Sequence, residues 1–269
     1  MGVVTLIRRS AVQARFVWFS VLVLLAGFQI LLAAQAASIE ATRSFERLAE
    51  FVPAFLQRGL GSQALLLASF KGTLAFGYFH PVVAVLVSVL AMYMATEPAH
   101  DVESGLVDLV LARPVPRHRV ITRSLLLSLG VVAAAVLMMA GGTWIGLHVF
   151  ASSVSDWPTP GLIAKLALNL GAVASCFAGI ALAIAAGARR WSTAFATAGL
   201  LAVMAYLLDF LAIGWPPART LSWISPYHYY PALPIVAGTA APWRSVAILF
   251  SAAAAFTALA YWMFQRRDL

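Results

Sequence analysis

The chain has 269 residues, 62% of them hydrophobic and only 10% charged, with a mean hydropathy of +0.89. A soluble domain carries about a quarter charged residues, so this chain has too little polar surface for a water-facing shell, and the bilayer is its solvent. The net charge of +8 sits on arginines beside apolar runs, where cations anchor and orient helices. No polar segment interleaves a basic stripe with stacking aromatics, so nucleic acid is not an expected partner.

Apolar runs of about 20 residues, long enough to cross ~30 Å of hydrocarbon, fall at 16–37, 77–96, 124–150, 161–187, 192–214 and 244–264. Lipid-exposed backbone must satisfy its own hydrogen bonds, so each run is predicted to be helical. The expected fold is all-α: one polytopic membrane domain over residues 1–269 with six transmembrane helices.

Ahead of the first span, Val4, Ile7, Ala11 and Ala14 share a helical face, with Arg8, Arg9 and Arg15 elsewhere. That pattern predicts a short N-terminal interfacial helix. Arginines before an apolar run that ends Ala33-Ala34-Gln35-Ala36-Ala37 also resemble a cleavable signal. The run exceeds a usual signal core and more spans follow, so it is read as a retained span. Residues 38–76 form the longest non-spanning stretch. There Phe45, Leu48, Val52, Phe55 and Leu56 recur at helical spacing around Glu46, Arg47 and Glu50, which predicts an amphipathic helix on the outer surface, as a cap or a gate.

His80-Pro81 falls in the first turn expected for the second span, where proline is tolerated, and Glu97-Pro98 closes that span. Trp157, Pro158 and Pro160 separate the third and fourth spans. The single cysteine, Cys176, lies inside the fourth, so no internal disulfide or zinc site is available. Asp209 is the one acid well inside an apolar run, near the outer end of the fifth span. Intramembrane acids tend to be functional. Asp209, with His228, is therefore a candidate for a transport path, although so near the span end it also suits an interfacial role. Residues 222–230, rich in Trp, Tyr and His, read as an outer aromatic belt or an exit path.

Arginine placement orients the chain. Arg8, Arg9, Arg15, Arg113, Arg117, Arg119, Arg123, Arg189, Arg190, Arg266 and Arg267 all fall on one side of the six-span layout. The positive-inside rule puts that side, with both termini, in the cytoplasm.

The loop between the second and third spans is the most informative segment. Val102, Leu106, Leu109 and Val110 line one helical face, with Asp101, Glu103 and Asp108 facing away. Acids early and Arg113 late complement a helix dipole, and Pro114 stops the helix. An exposed amphipathic helix over 101–112 serves as an interfacial anchor or as a docking helix for a cytoplasmic partner.

Glu103-Ser104-Gly105, then Leu109-Val110-Leu111-Ala112-Arg113-Pro114-Val115 and Arg117, resemble the loop of type-2 ABC exporter permeases. Gly77-Tyr78-Phe79-His80-Pro81 and the ending Phe264-Gln265-Arg266-Arg267-Asp268-Leu269 resemble one branch of that family. Two departures stand out: Leu106-Val107 follows the glycine where Thr-Leu is common, and both Glu97 and Asp101 fit the first acid of the pattern. The resemblance implies the membrane-spanning permease of a bacterial ABC transporter in the cytoplasmic (inner) membrane. Its partners would be two copies of a cytoplasmic ABC ATPase subunit, a second permease copy as a homodimer, and the lipid bilayer. The implied coupling residues are Asp101, Glu103, Gly105, Leu106, Leu109, Arg113, Pro114 and Arg117. No cofactor is expected in this chain; ATP and Mg would sit on the partner.

The chain is not expected to be an enzyme. A P-loop needs Gly-Lys before Ser or Thr, and the lysines, Lys71 and Lys165, follow Phe70 and Ala164. The five histidines form no close ligand pair, so no metal site is expected. The competing readings are a non-transporting scaffold or assembly factor that docks a partner through the same loop, and an intramembrane protease built on Ser175 and His228. The second lacks a Gly-x-Ser-x-Gly turn around Ser175.

The orientation is directly testable. A reporter active only in the cytoplasm is expected to work when fused after Leu269 and to be silent after Gln57; the reverse pattern rejects the topology.

Overall fold

The computed structural model describes residues 7, 8, 10, 12, 14–42, 69–105 and 116–267. Their elements, in chain order, are α1 (Arg15–Ala41), α2 (Phe70–Phe79), α3 (Pro81–Ala95), α4 (Glu97–Glu103), α5 (His118–Phe150), α6 (Pro160–Gly187), α7 (Trp191–Ala212), α8 (Pro216–Leu221), two 3-10 turns (Ser222–Ile224 and Pro226–Tyr229), α9 (Ala232–Val236) and α10 (Trp243–Gln265). Among the described residues six segments are long and apolar enough to span a bilayer: α1, α2 with α3, α5, α6, α7 and α10. The described residues contain no strand. The all-α, multi-pass membrane architecture expected from hydropathy is what the chain adopts.

Two spans begin earlier than their apolar runs. The second starts at Phe70 rather than 77, because Ser69 caps it by accepting from the Gly72 N–H at 3.1 Å. Lys71 in its first turn is offset by Asp156 across the same end of the bundle. The third starts at His118 rather than 124, running through Arg119 and Arg123. Hydropathy truncates a helix at a charge, whereas the helix continues wherever that charge finds a partner.

The early start of the second span moves His80-Pro81 from its first turn to its middle. His80 takes φ −56 and ψ 128, which breaks the helix into α2 and α3. Pro81 has no N–H to give, and the Val82 N–H is taken by His80 Nδ1 at 3.2 Å. The Tyr78 carbonyl, left without its helical donor, accepts the Tyr230 hydroxyl. The Tyr78 hydroxyl in turn meets Thr143 Oγ1 on α5 at 2.9 Å.

α6 is the central helix: 83% of its most apolar window is buried, against 17% for α7 and for α10. Small residues set the closest approaches. A Cβ on Gly142 of α5 would lie 2.5 Å from the Ala26 carbonyl oxygen of α1, and one on Gly179 of α6 would lie 2.8 Å from the Ala253 carbonyl oxygen of α10. Without a hydrophobic drive between helices in lipid, such backbone contact and its dispersion energy hold the pairs together.

The segment after α7 departs from a surface belt. Ser225 Oγ donates to the Ala205 carbonyl at 2.8 Å, about two turns inside the end of α7. Tyr227 is buried, while Trp223 is 60% exposed. The segment therefore folds back into the bundle, because the Ser225 and Tyr230 hydroxyls find backbone carbonyls there. At the other end, Ile7, Arg8, Ser10 and Val12 are helical, and Ile7 and Ala14 pack on Leu90, Met94, Leu127 and Val131. The amphipathic helix expected around Phe45–Leu56 positions 45–56 lies outside the described residues.

The glycine contacts predict that Gly179→Leu lowers the thermal midpoint in detergent by the equivalent of about 1–3 kcal/mol, the usual range for overpacking. Gly130→Leu, at a position with no atom within 4 Å of a built Cβ, is expected to leave it unchanged.

Candidate functional site

The face of the bundle that carries both ends of the described chain holds an unusual density of charge. Its organising element is α4, which follows the second span after a single turn. Pro98 and Glu97 suit its first turn. Its C-terminus is capped by Ser104, whose hydroxyl donates to the His100 carbonyl at 2.8 Å, and by Gly105 in the left-handed region at φ +68.

Helical spacing places Glu97 and Asp101 on one face of α4, and both reach Arg123 of α5. Glu97 Oε2 lies 3.2 Å from Arg123 Nη2, and Asp101 Oδ2 lies 2.8 Å from Nη1. Arg123 is only 4% exposed, and its Nη2 also donates to Ser124 Oγ at 3.3 Å. Burial raises the Glu97 pKa above the ordinary carboxylate value. The Arg123 charge and a hydrogen bond from Ser10 pull it down, the Asp101 charge pushes it up, and His100 lowers it; burial wins.

Glu103 points the other way. Its Oε2 accepts the Trp191 backbone N–H at 2.8 Å, so it caps α7 and complements the positive end of that helix. α4 is thus tied to the third span through Arg123 and to the fifth through Glu103.

A second set of contacts closes the same face. Arg117 Nη1 donates to the Arg267 carbonyl at 2.6 Å. Arg267 donates to the carbonyls of Ala186 at 3.1 Å and Ala188 at 2.8 Å, satisfying the exposed C-terminus of α6. Three spans are therefore joined by two arginines.

These positions revise the sequence-based expectations. The continuous helix expected over 101–112 stops at Glu103, because Gly105 adopts a left-handed conformation that ends it. Asp101, which helical spacing puts opposite the apolar face of that helix, turns inward and pairs with buried Arg123. Gly105 has no atom within 4 Å of a built Cβ, so its requirement for glycine is conformational rather than a close backbone approach. Arg117 engages the chain's own C-terminal carbonyls. Leu106, Leu109, Arg113 and Pro114 lie outside the described residues. Arg123, read from sequence only as an orienting charge, is the pivot; its arrival five residues after the helix start, opposite acids four apart, was the available signal.

At the opposite end, Asp209 and His228 come together, with Oδ1 and Nδ1 3.9 Å apart and both side chains part-exposed. Ser222 Oγ lies 3.2 Å from the same Nδ1. A serine nucleophile and its orienting acid must engage different ring nitrogens, so this trio is no relay. Ser175 spends its hydroxyl on the Gly171 carbonyl, at 2.7 Å within α6. Neither arrangement supports the protease reading. Among the described residues no group of three or more His, Cys, Asp or Glu side chains could hold a metal.

Residues 7–269 match the family model described as ABC-2 family transporter protein, and the chain belongs to that family. It is accordingly an ABC transporter permease, the membrane subunit. No curated protein matches it.

The ion cluster carries a testable energetic signature. Arg123→Ala leaves two part-buried carboxylates unpaired and is expected to cost about 3–5 kcal/mol; adding Asp101→Asn should recover part of that loss in a thermal-melt cycle. Glu97 has a raised pKa, so its contribution to stability is present at low pH and is lost as pH rises through the raised value. At neutral pH, Glu97→Gln is therefore expected to cost less than Asp101→Asn, and to flatten the fall in melting temperature as pH rises above the ordinary carboxylate range.

Proposed function

We propose that this permease couples ATP binding and hydrolysis on a separate cytoplasmic ATPase subunit to export of a substrate across a bacterial cytoplasmic membrane. The working unit in this reading has two ATPase subunits and two copies of this chain, with ATP and Mg on the ATPases and both termini of the permease in the cytoplasm. The observation that carries it is the double attachment of α4. A short helix outside the spans, linked to the third span by the Arg123 ion cluster and to the fifth by the Glu103 cap, can pass a displacement on to both.

The chemistry of each link suits the task. The Arg123 cluster is buried, so its attraction is little screened by salt and it resists being pulled apart. The Glu103 bond is exposed and single, so an ATPase contact can exchange it. Membrane helices that hold two arrangements shift between them only when a ligand contacts one more favourably than the other. ATP-driven closure of the two ATPases supplies that difference at α4. The break at His80-Pro81 lies in the second span, upstream of α4, which gives α3 and α4 a hinge to turn on. Asp209 and His228, part-exposed at the opposite end, are the polar pair this reading puts on the route of export.

Co-purification of the ATPase and its ATP turnover test the coupling. Glu103→Lys is expected to lose the ATPase or its stimulation by at least tenfold, while Glu103→Gln, which keeps an acceptor for the Trp191 N–H, retains binding better. Gly105→Asn, which tolerates the left-handed conformation, should outperform Gly105→Val. Wild-type binding and turnover in both Glu103→Lys and Gly105→Val would remove α4 as the coupling element.

A further inference from the structure

α7 and α10 diverge over α6 and leave an apolar groove of about 870 Å³ between them. Its floor is Phe177, Ile180 and Ile184 of α6, and its walls include Met204 of α7 and Phe256 of α10. The folded-back segment at Trp223–Tyr229 positions 223–229 roofs one end. The volume is on the scale of a small-molecule site. Met204 is 56% exposed and Phe256 36%, so the groove opens sideways to the bilayer. On α10 it runs from Ile248 to Met263, roughly 22 Å at 1.5 Å per residue, more than one ~15 Å leaflet of hydrocarbon.

The end away from the roof is cationic. Met263 closes the groove against Gly187, its methyl 2.9 Å from where a Cβ would stand. One turn beyond Met263 and Ile184 come Arg266, Arg267 and Arg189. Arg189 and Arg266 are exposed, and neither is within 4 Å of a carboxylate among the described residues. Arg267 is spent on the carbonyls of α6. Burial first, and then the neighbouring Arg189 charge, disfavour its cation, so like charges crowd at this end of the groove.

We propose that this groove is a binding site for an anionic phospholipid, with one acyl chain along α6 and the headgroup phosphate held by Arg189 and Arg266. Basic pockets between helix ends at a membrane surface recruit acidic headgroups in this way. A second copy of the chain is the poorer occupant: a twofold axis along the membrane normal would bring the same arginines to the same depth and add like charge. With the termini cytoplasmic, the lipid belongs to the inner leaflet. The site rests on the bundle geometry and not on the ATPase, so a failed pull-down leaves it standing.

Native mass spectrometry of the full chain in neutral detergent, titrated with phosphatidylglycerol or phosphatidylcholine, reads the site. Wild type is expected to retain one phosphatidylglycerol at roughly tenfold lower lipid concentration than phosphatidylcholine, each cation near a headgroup contributing a several-fold preference. Arg189→Gln with Arg266→Gln should erase the preference, and Ala252→Phe, which fills the groove, should remove the retained lipid altogether. If Ala252→Phe fails to fold, the exposed arginine pair still decides the question. An unchanged preference in the arginine variant overturns the proposal. So does undiminished lipid in Ala252→Phe, or a fall in dimer with lipid retained, which would assign the groove to a second copy.

Discussion

A guanidinium that is 4% exposed inside a membrane protein has to be neutralised where it stands, and that requirement organises one end of this molecule. Arg123 needs acceptors on more than one side. α4 supplies them by presenting Glu97 and Asp101 four residues apart on one helical face. The cluster fixes the rotation of α4, since turning it by one residue would withdraw both carboxylates. Once α4 is held, Glu103 points outward along the surface and caps α7. The links from the loop to two spans follow from burying one charge.

The rest of the bundle divides into tight and loose parts. α6 with α10, and α1 with α5, meet at glycines whose absent side chains admit backbone carbonyls. These contacts are rigid because no rotamer change relieves them. α7 is different: its buried positions are small residues, Ala194, Ala198 and Ala202, and most of its surface is left to lipid. The second span carries a break at His80-Pro81 that is held by Tyr230 from the far segment. A tight core with one loosely held helix and one interrupted helix is a combination that can move without unfolding, which is what a permease driven from outside the membrane requires.

The same looseness creates the lateral groove. A helix that leaves its neighbour exposes apolar walls, and in a bilayer such space is filled by hydrocarbon rather than left empty. The arginines at one end of the groove are those that orient the chain by charge. An orienting cation and a headgroup ligand are compatible roles, because both need the charge at the membrane surface.

Hydropathy by itself determined the number of spans, their order and their helical character, because the cost of unsatisfied backbone in lipid leaves little choice. The loop motif pointed to the family, and its first residues to the right face of the molecule. Span limits were legible only where charge and apolar run coincide. Lys71 and Arg123 blurred them, since a one-dimensional scan counts a charge as an end while the fold can pair it. Which acids face inward was beyond the pattern: Asp101 looks solvent-facing on a helical wheel, and only the position of α5 shows a partner waiting for it. The meeting of Asp209 with His228, the anchoring of Ser225 and Tyr230 inside the bundle, and the clasp of Arg117 and Arg267 all join residues far apart in the chain. The tertiary structure decided them, because periodicity reports which side of a helix is apolar but not which neighbour that side, or its polar exceptions, will meet.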